Sequence, residues 1–545
     1  MRRRALPLLL LLLAGCAGGP VPPPVFTDAP AVTRVRDDAP IPVPDERGFH
    51  RLSYLIENYG LRQPIDVLGV TTHGPALDVN RLGEVPASSW YAGTDDRQDP
   101  AAVARGPGGD DPGPEAHRPW TVTGLKVGGR NPGFVFRDAR GAAYICKFDK
   151  EGEPSVSTAA GAVAARLFWA LGYHVPDNRV VTFARDELLV APDATVKNSV
   201  GEKRPLTRAD VDAMLAGLPQ ALADGRYRAL VSRFLDGIPR GGFSLRGTNG
   251  DDPNDRIPHQ DRRSLRALRV FGAWLQHVDL KEDNTLDVYV GEPGAGHLRH
   301  HLVDFDGCLG GYWAARHEKR IGHAYDFDWR ELLLGIPALG LHVRPYEDTP
   351  PPAHAEVGQF SAFAYDPAAW RPNYANDQVL ACGPADAFWA GTVLARLSDE
   401  ALAAAASTGR FRDPAAAAEL TRVLIARRHL TLAWALTRVS PAVDLEPIPA
   451  ADGFRVDAAS ACDRAGLAVP LAWRVEFLNA DGSVRQILSE GAASPAVTVP
   501  ATDADRAVVR WTAHRPDGGL LPPTQAHYAR GPAGWSLRGV LRDGE

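Results

Sequence analysis

From Trp120 onward, apolar and polar positions alternate in short runs. "WTVTGLKVGG", "GFVFRDARG" and "AAYICKFD" each predict a half-buried strand. Gly128, Gly129 and Gly133 surround a turn at Pro132 between the first two, and Asp138 to Gly141 marks a hairpin before the third. The period then lengthens. "STAAGAVAARLFWALGYHVPDN" predicts a helix capped by Ser157 or Thr158, with Val163, Leu167 and Leu171 on one face and Gly172 at its end. "RVVTF", "ELLVA" and "YRALVSRFL" predict further strands, with a short amphipathic helix over 207–222 before the last.

Past Gly237 helical spacing dominates. In "DRRSLRALRVFGAWLQ", Leu265, Leu268, Val270, Phe271, Trp274 and Leu275 share one broad face, and the helix runs directly into His277. "TLDVYVG" and "LRHHLVDFD" predict two short strands. A helix is expected at about 385–397, then a long one opened by Asp413-Pro414 and running to about Val439. The C-terminal part returns to alternation in "AWRVEFLNADGSVRQIL" and "AVVRWTAHRPDGG", with turns at Asp481-Gly482 and Pro516-Asp517-Gly518. The expected class is α+β. A β-rich lobe covers 119–238, a helical lobe 239–440 and a small all-β sandwich 441–545, after an N-terminal extension over 49–118.

The first residues change the picture of location. Arg2, Arg3 and Arg4 precede an apolar stretch, Ala5 to Ala14, too short to span a bilayer. Leu13-Ala14-Gly15-Cys16 resembles the lipobox of bacterial lipoproteins. The resemblance implies a signal peptide over 1–15, acylation of Cys16 and a lipid anchor in the cell envelope, with Ala17 favouring the outer membrane. Residues 16–48 are so rich in Pro that neither helix nor sheet interior is available, so a semi-rigid tether is expected. No later apolar run is long enough to cross a membrane. The formal net charge is −6, with both signs interspersed and no basic stripe, so no nucleic-acid partner is expected. Cys146, Cys308, Cys382 and Cys462 lack C-x-x-C spacing, which argues against zinc and leaves any disulfide pairing open.

The chemistry concentrates in "HVDLKEDN", 277–284, and "VDFDG", 303–307. Carboxylates, an ammonium and an amide are placed between apolar runs that would otherwise be buried. Phosphoryl transfer asks for these types: a carboxylate to take a hydroxyl proton, a compact cation on the phosphate, and hard oxygens for a divalent ion. The chain holds only seven Lys, at 126, 147, 150, 197, 203, 281 and 319, so a retained Lys hints that a point charge is wanted.

A β-rich lobe with a glycine-containing turn and a Lys on its third strand, followed by H-x-D-x-K-x-x-N and Asp-Phe, resembles the protein-kinase-like superfamily, in its atypical CotH and HipA types. "SSWY", "PWTVTGLKVGGRNPGF" and "GTNGDDPNDRIPHQDRR" also look like segments of an uncharacterised group of bacterial lipoproteins. The superfamily resemblance implies a two-lobed kinase-like domain binding ATP and Mg²⁺. In it, Asp279 is the catalytic base and Lys281 neutralises the γ-phosphate. Asn284 and Asp304 hold the metal, and Lys147 with Gly128, Gly129 and Gly133 holds the nucleotide. His277 is expected to be structural, tying the loop to the following strand. Four departures stand out. Val278 replaces Arg, Asp306 replaces the Gly after Asp-Phe, and Gly161 stands where the helix should offer a Glu to the strand lysine, with Glu151 or Glu153 as substitutes. No Ala-Pro-Glu follows. The competing class is a kinase-fold binding lipoprotein with an impaired site. A transition-metal site using His277, His300 or His301 with Asp304, and a Ca²⁺ loop at "NGDDPNDRIPHQD", are weaker readings.

The lipobox reading has a direct test. Cys16→Ser should leave the signal uncleaved or release the chain from membranes, because a multiply acylated Cys is a nearly permanent anchor. A cleaved Cys16→Ser protein that still partitions fully with membranes overturns it.

Overall fold

A computed structural model describes residues 24–49, 51–63, 74–126, 131–150, 152–197, 203–218, 222, 224–311, 319–338 and 343–542. Cys16, the N-terminal apolar stretch, Gly128 and Gly129 lie outside them. Among the described residues the first large unit is a seven-stranded sheet. Its strands are β1 (Trp120–Leu125), β2 (Gly133–Arg137), β3 (Ala143–Lys147), β4 (Asn178–Phe183), β5 (Leu188–Lys197), β6 (Lys203–Pro205) and β7 (Tyr227–Arg233), in the order β4-β7-β3-β2-β1-β5-β6. One face carries Trp120, Phe134, Phe136, Tyr144 and Phe183, covered by Val211 and Leu215 of the helix Arg208–Ala216. The strand period of two puts Tyr144 and Cys146 into this core, which turns Lys147 to the opposite face.

That opposite face receives the helix Val156–Ala170. Its Ala162 packs with Val180 of β4 and Leu230 of β7, while Val163, Leu167 and Phe168 join the core of the helical lobe. Every residue of it except Trp169 is buried, so it bridges two lobes rather than showing the single apolar face expected. Its cap also differs from expectation. Ser157 and Thr158 lie inside the helix, and the capping position, Ser155, makes no side-chain cap bond. Asp149 serves instead, accepting from the Ser155 amide at 3.0 Å, the Thr158 amide at 2.9 Å and the Thr158 hydroxyl at 2.7 Å.

The helical lobe is built around Leu268–Leu275, preceded by the short turn Arg263–Arg266, and the helices Pro384–Ala395, Asp399–Ser407 and Pro414–Ala435. The last is opened by Asp413 and Pro414 as expected, with the Asp413 carboxylate on the Ala415 amide at 2.9 Å. Arg427 reaches from it to the end of Leu268–Leu275. It donates to the Trp274 and Ser361 carbonyls at 2.9 and 2.8 Å and to Ala273 at 2.5 Å, with its guanidinium 3.6 Å over the Tyr365 ring. The Ala273 and Trp274 carbonyls lie in the last turn of that helix, where i+4 amides run out, so a cation is a natural cap. Past the cap, Gln276 takes a left-handed φ of 52° and releases the chain into His277. A small sheet of β8 (Ile238–Pro239), β9 (Thr285–Val290) and β10 (His297–Leu302) then carries the chain to Asp304.

The C-terminal part is two antiparallel sheets packed face to face. One is five-stranded, from Ala472–Leu478 to Gly534–Arg542, and the other combines Pro447–Ala450, Gly453–Val456 and Val497–Pro500. Phe454, Val499, Trp473, Val509, Trp511 and Tyr528 fill the space between. The proline-rich segment is extended, but its described part is not a free tether. It lies along the body as a strap, bridging Arg34 to Ala87 and Ile41 to Gly296 and pairing Arg47 with Asp287. Among the described residues no helix is long and apolar enough to cross a membrane, and Cys146, Cys308, Cys382 and Cys462 are all free thiols.

Arg427 makes a stability prediction. It is buried and donates to three carbonyls, so Arg427→Ala removes three hydrogen bonds and should lower unfolding free energy by about 3 kcal/mol. Urea denaturation measures this. Arg427→Lys should recover little, because one ammonium cannot span three carbonyls in two segments.

Candidate active site

The site lies where β3 of the sheet faces the loop and hairpin of the helical lobe. Backbone bonds set its floor. The His277 amide bonds the Gly272 carbonyl at 2.8 Å, the Asn373 amide bonds Val278 at 2.8 Å, and Leu309 bonds Leu275 at 2.9 Å. The Val303 amide bonds the Asn284 carbonyl at 3.0 Å, placing the end of 277–284 beside the approach to Asp304. Within the loop, the Asp279 carboxylate accepts from Asn284 Nδ2 at 2.9 Å and pairs with Lys281 Nζ at 3.0 Å. Asn284 Nδ2 also bonds the Asp279 carbonyl at 2.7 Å, which turns its amide oxygen the other way.

Lys147 crosses from the sheet to the Asp304–Asp306 segment of the helical lobe. Its Nζ is 2.5 Å from Asp304 Oδ1 and 3.3 Å from Asp306 Oδ2. Burial works against the ammonium, but Asp306 and Asp304 reverse that and hold its pKa above the ordinary lysine value. The two carboxylates separate in the same field. Burial would raise Asp304, but Lys147 holds it well below the usual carboxylate range. Burial pushes Asp306 up to about 7, with Asp304 adding to the rise and Lys147 opposing it. Asp304 also sits at a left-handed φ of 63°, an uncommon conformation for a non-glycine residue and one that clusters at functional sites.

Asp306 answers the gap at Gly161. A Cβ built on Gly161 would lie 3.6 Å from Asp306 Cβ, so the helix passes directly over this carboxylate. The carboxylate that the helix lacks is therefore supplied from the loop beneath. Asn131 steadies it, with Nδ2 3.3 Å from Asp306 Oδ2. Glu153 does not take that part, since one of its carboxylate oxygens is buried without a partner, and Glu151 lies outside the described residues.

His277 is structural, but through its ring. It packs 5.5 Å from Phe168 and 5.8 Å from Phe305, and Phe305 stacks on Phe168 at 5.1 Å and 26°. Its Nδ1 has no hydrogen-bond partner, and burial lowers its pKa to about 4, so the ring is neutral at pH 7. The stack joins the bridging helix, the loop and the Asp-Phe segment in one apolar column. Gly133 opens β2 opposite Lys147, and a Cβ there would sit 2.0 Å from the Cys146 carbonyl oxygen. Close strand approach alone requires this glycine.

One site residue was not singled out from sequence. Lys126, at the end of β1, donates to the Asn131 carbonyl at 3.1 Å, and burial followed by the nearby Lys147 lowers its pKa. Scarcity was the available signal: three of the seven lysines, 126, 147 and 281, converge here. The histidine metal site does not form. His300 Nδ1 bonds Asp287 at 2.6 Å and its ring stacks on Trp90 at 3.5 Å, while His301 lies beside His174. In the acidic loop, Asp255 is engaged by His259 at 2.7 Å and Arg262 at 2.8 Å, and Asp252 by the Asn254 amide at 2.9 Å. Among the described residues no group of three His, Cys, Asp or Glu is arranged to hold a metal alone.

No protein-family model and no curated protein matches the chain. Among solved structures, a Helicobacter pylori proinflammatory kinase, CtkA, is similar at 12% identity and a TM-score of 0.29, over 57% of this chain and 95% of that one. The Golgi casein kinase is similar at 11% identity and a TM-score of 0.30, over 64% of this chain and 77% of that one. A structure of the Golgi casein kinase with Mn/ADP bound gives 10% identity and 0.26, over 58% and 73%. At these scores the functional reading rests on the site's own geometry.

The lysine clamp can be tested without any ligand. Asp306→Asn removes one of two carboxylates that raise the Lys147 pKa, so a larger share of the amine becomes neutral at alkaline pH. Acylation of Lys147 at pH 9, followed by peptide mass spectrometry, should be several-fold faster in the variant. An unchanged rate would show that Asp304 alone holds the ammonium.

Proposed function

We propose that this protein is an ATP- and Mg²⁺-dependent phosphotransferase with a kinase-like site, held at the cell envelope through Cys16. The observation that carries the reading is the meeting of Lys147, from the sheet, with Asp304, from the helical lobe, beside Asp279, Lys281 and Asn284. Each group has a chemical use there. Lys147 and Lys126 place two ammonium groups where α- and β-phosphates would lie. Lys281 adds a third next to Asp279, which accepts the proton of an acceptor hydroxyl as its oxygen attacks. Asp304 and the amide oxygen of Asn284 are hard ligands of the type Mg²⁺ takes, and a nucleotide-bound Mg²⁺ needs few protein ligands because phosphate oxygens and water complete its shell. Such an ion would neutralise charge on the transferring phosphoryl group.

One feature favours a second reading, a nucleotide-binding envelope protein without turnover. Lys147 already sits on the Asp304 carboxylate that the ion would need. Titration of the full chain with ATP and Mg²⁺, followed by thermal shift and by release of labelled phosphate, separates the two. The wild type should be stabilised and should turn over. Asp279→Ala should lose turnover by at least about a hundredfold with affinity nearly intact, and Asp304→Ala should lose both. Lys281→Arg should also impair turnover, because a planar fork does not replace a point charge. Binding without turnover assigns the second reading, and no binding overturns both.

A further inference from the structure

The strap encloses a second cavity, away from the lysine clamp. Its near end is pinned to the C-terminal sheets. Arg506 donates to the Phe26 carbonyl at 3.2 Å, Arg538 to Asp28 at 3.1 Å, and Phe26 packs edge-on to His527 at 4.8 Å. Its far end is pinned to the extension. The Val35 amide bonds Ala87 at 2.9 Å, the Ala87 amide bonds Thr33 at 2.9 Å, and Asp37 accepts from the Ser89 amide and hydroxyl. Between these pins the chain arches over a cavity of about 490 Å³. That volume is within the range, about 300–1,000 Å³, of sites for small molecules.

The lining has a consistent character. Pro30, Val32, Val79 and Ile257 supply apolar walls, and Arg36, Arg81, Arg256 and Arg262 supply charge. Two carboxylates also line it, but both are engaged. Asp37 holds Ser89, and Asp78 caps the turn at Arg263–Arg266 through the Ser264 amide at 3.2 Å and hydroxyl at 2.7 Å. The cations are not matched in the same way. Arg36, Arg81 and Arg256 pair with no carboxylate among the described residues; Arg81 donates to the Thr27 carbonyl and Arg256 to that of Pro253. Arg262 has a side chain only 5% exposed, lies 4.4 Å over the Trp90 ring, gives Nη2 to Asp255 and leaves its Nε buried without a partner. Asp255 already matches that charge and the Nε is sealed from solvent, so the positive charge open to a ligand comes from Arg36, Arg81 and Arg256.

We propose that this cavity binds a small organic anion: a carboxylate or phosphate monoester on an apolar frame. The anionic group would lie among Arg36, Arg81 and Arg256, with the frame against Pro30, Val32, Val79 and Ile257. The fork of a guanidinium suits either head group, and the apolar walls select against free inorganic ions.

The test uses the full chain with phenyl phosphate, phenylacetate and the neutral benzyl alcohol as probes, read by isothermal titration. At least one anionic probe should bind saturably at a one-to-one ratio, and benzyl alcohol should not. Arg36 and Arg256 are exposed, so the double variant Arg36→Ala/Arg256→Ala should fold normally and bind the same probe at least about tenfold more weakly. Lys147→Ala should bind it unchanged, which separates this cavity from the nucleotide cleft. Phenyl phosphate binding alone selects a phosphate head group, and phenylacetate alone a carboxylate. No saturable binding of either anion, equal binding of benzyl alcohol, unaltered binding in the double arginine variant, or loss in Lys147→Ala overturns the proposal.

Discussion

The ammonium of Lys147 joins the halves of the molecule at their chemical centre. It is anchored on a strand whose other face is committed to an aromatic core, so its direction is dictated by the two-residue period of the sheet. Two carboxylates from one three-residue segment meet it. A single half-buried cation between two acids leaves the trio with a net negative charge, which is why one acid stays ionised and the other is driven toward neutrality. The Phe168–Phe305–His277 column fixes the height of that segment, and the absence of a side chain at Gly161 leaves room for Leu230 of β7, which a Cβ there would meet at 2.4 Å. Sheet, helix and loop are thus coupled by one ionic contact and one apolar column.

The order of elements was largely legible in the sequence because its signals are local. Alternation in "AAYICKFD" located β3 and put Lys147 at its end, and Asp413-Pro414 marked the start of the long helix. Spacing within 277–284 likewise brought Asp279, Lys281 and Asn284 together, since five residues of chain cannot separate them far. What stayed hidden depends on distance along the chain. Asp306 as a partner of Lys147 spans 159 residues, and the Asp149 cap arises from a loop that precedes its helix by several positions. The proline-rich strap was read as a tether because composition reports the conformation of a segment and not what it lies against.

Arginine does much of the joining between distant segments. Arg427 closes a helix end, Arg228 ties Asp149 to the Gly409 carbonyl, and Arg263 and Arg266 share Asp386. Each is buried, and each satisfies several acceptors that would otherwise be stranded. A flexible ammonium would serve such multi-point junctions poorly. At the lysine clamp the cations are Lys126, Lys147 and Lys281, compact charges that suit a crowded polar cleft better than a guanidinium fork.

The strap has a consequence for the order in which the chain reaches its final state. Phe26 rests where a side chain on Gly539 would stand, and its carbonyl waits for Arg506. These contacts span almost the whole polypeptide, so the segment made among the first is among the last to settle. Until the C-terminal strands have formed, the proline-rich segment has only its far pins to hold it. Proline, which needs no backbone partner for its nitrogen and resists collapse into helix or sheet, suits a stretch that must wait exposed without pairing elsewhere.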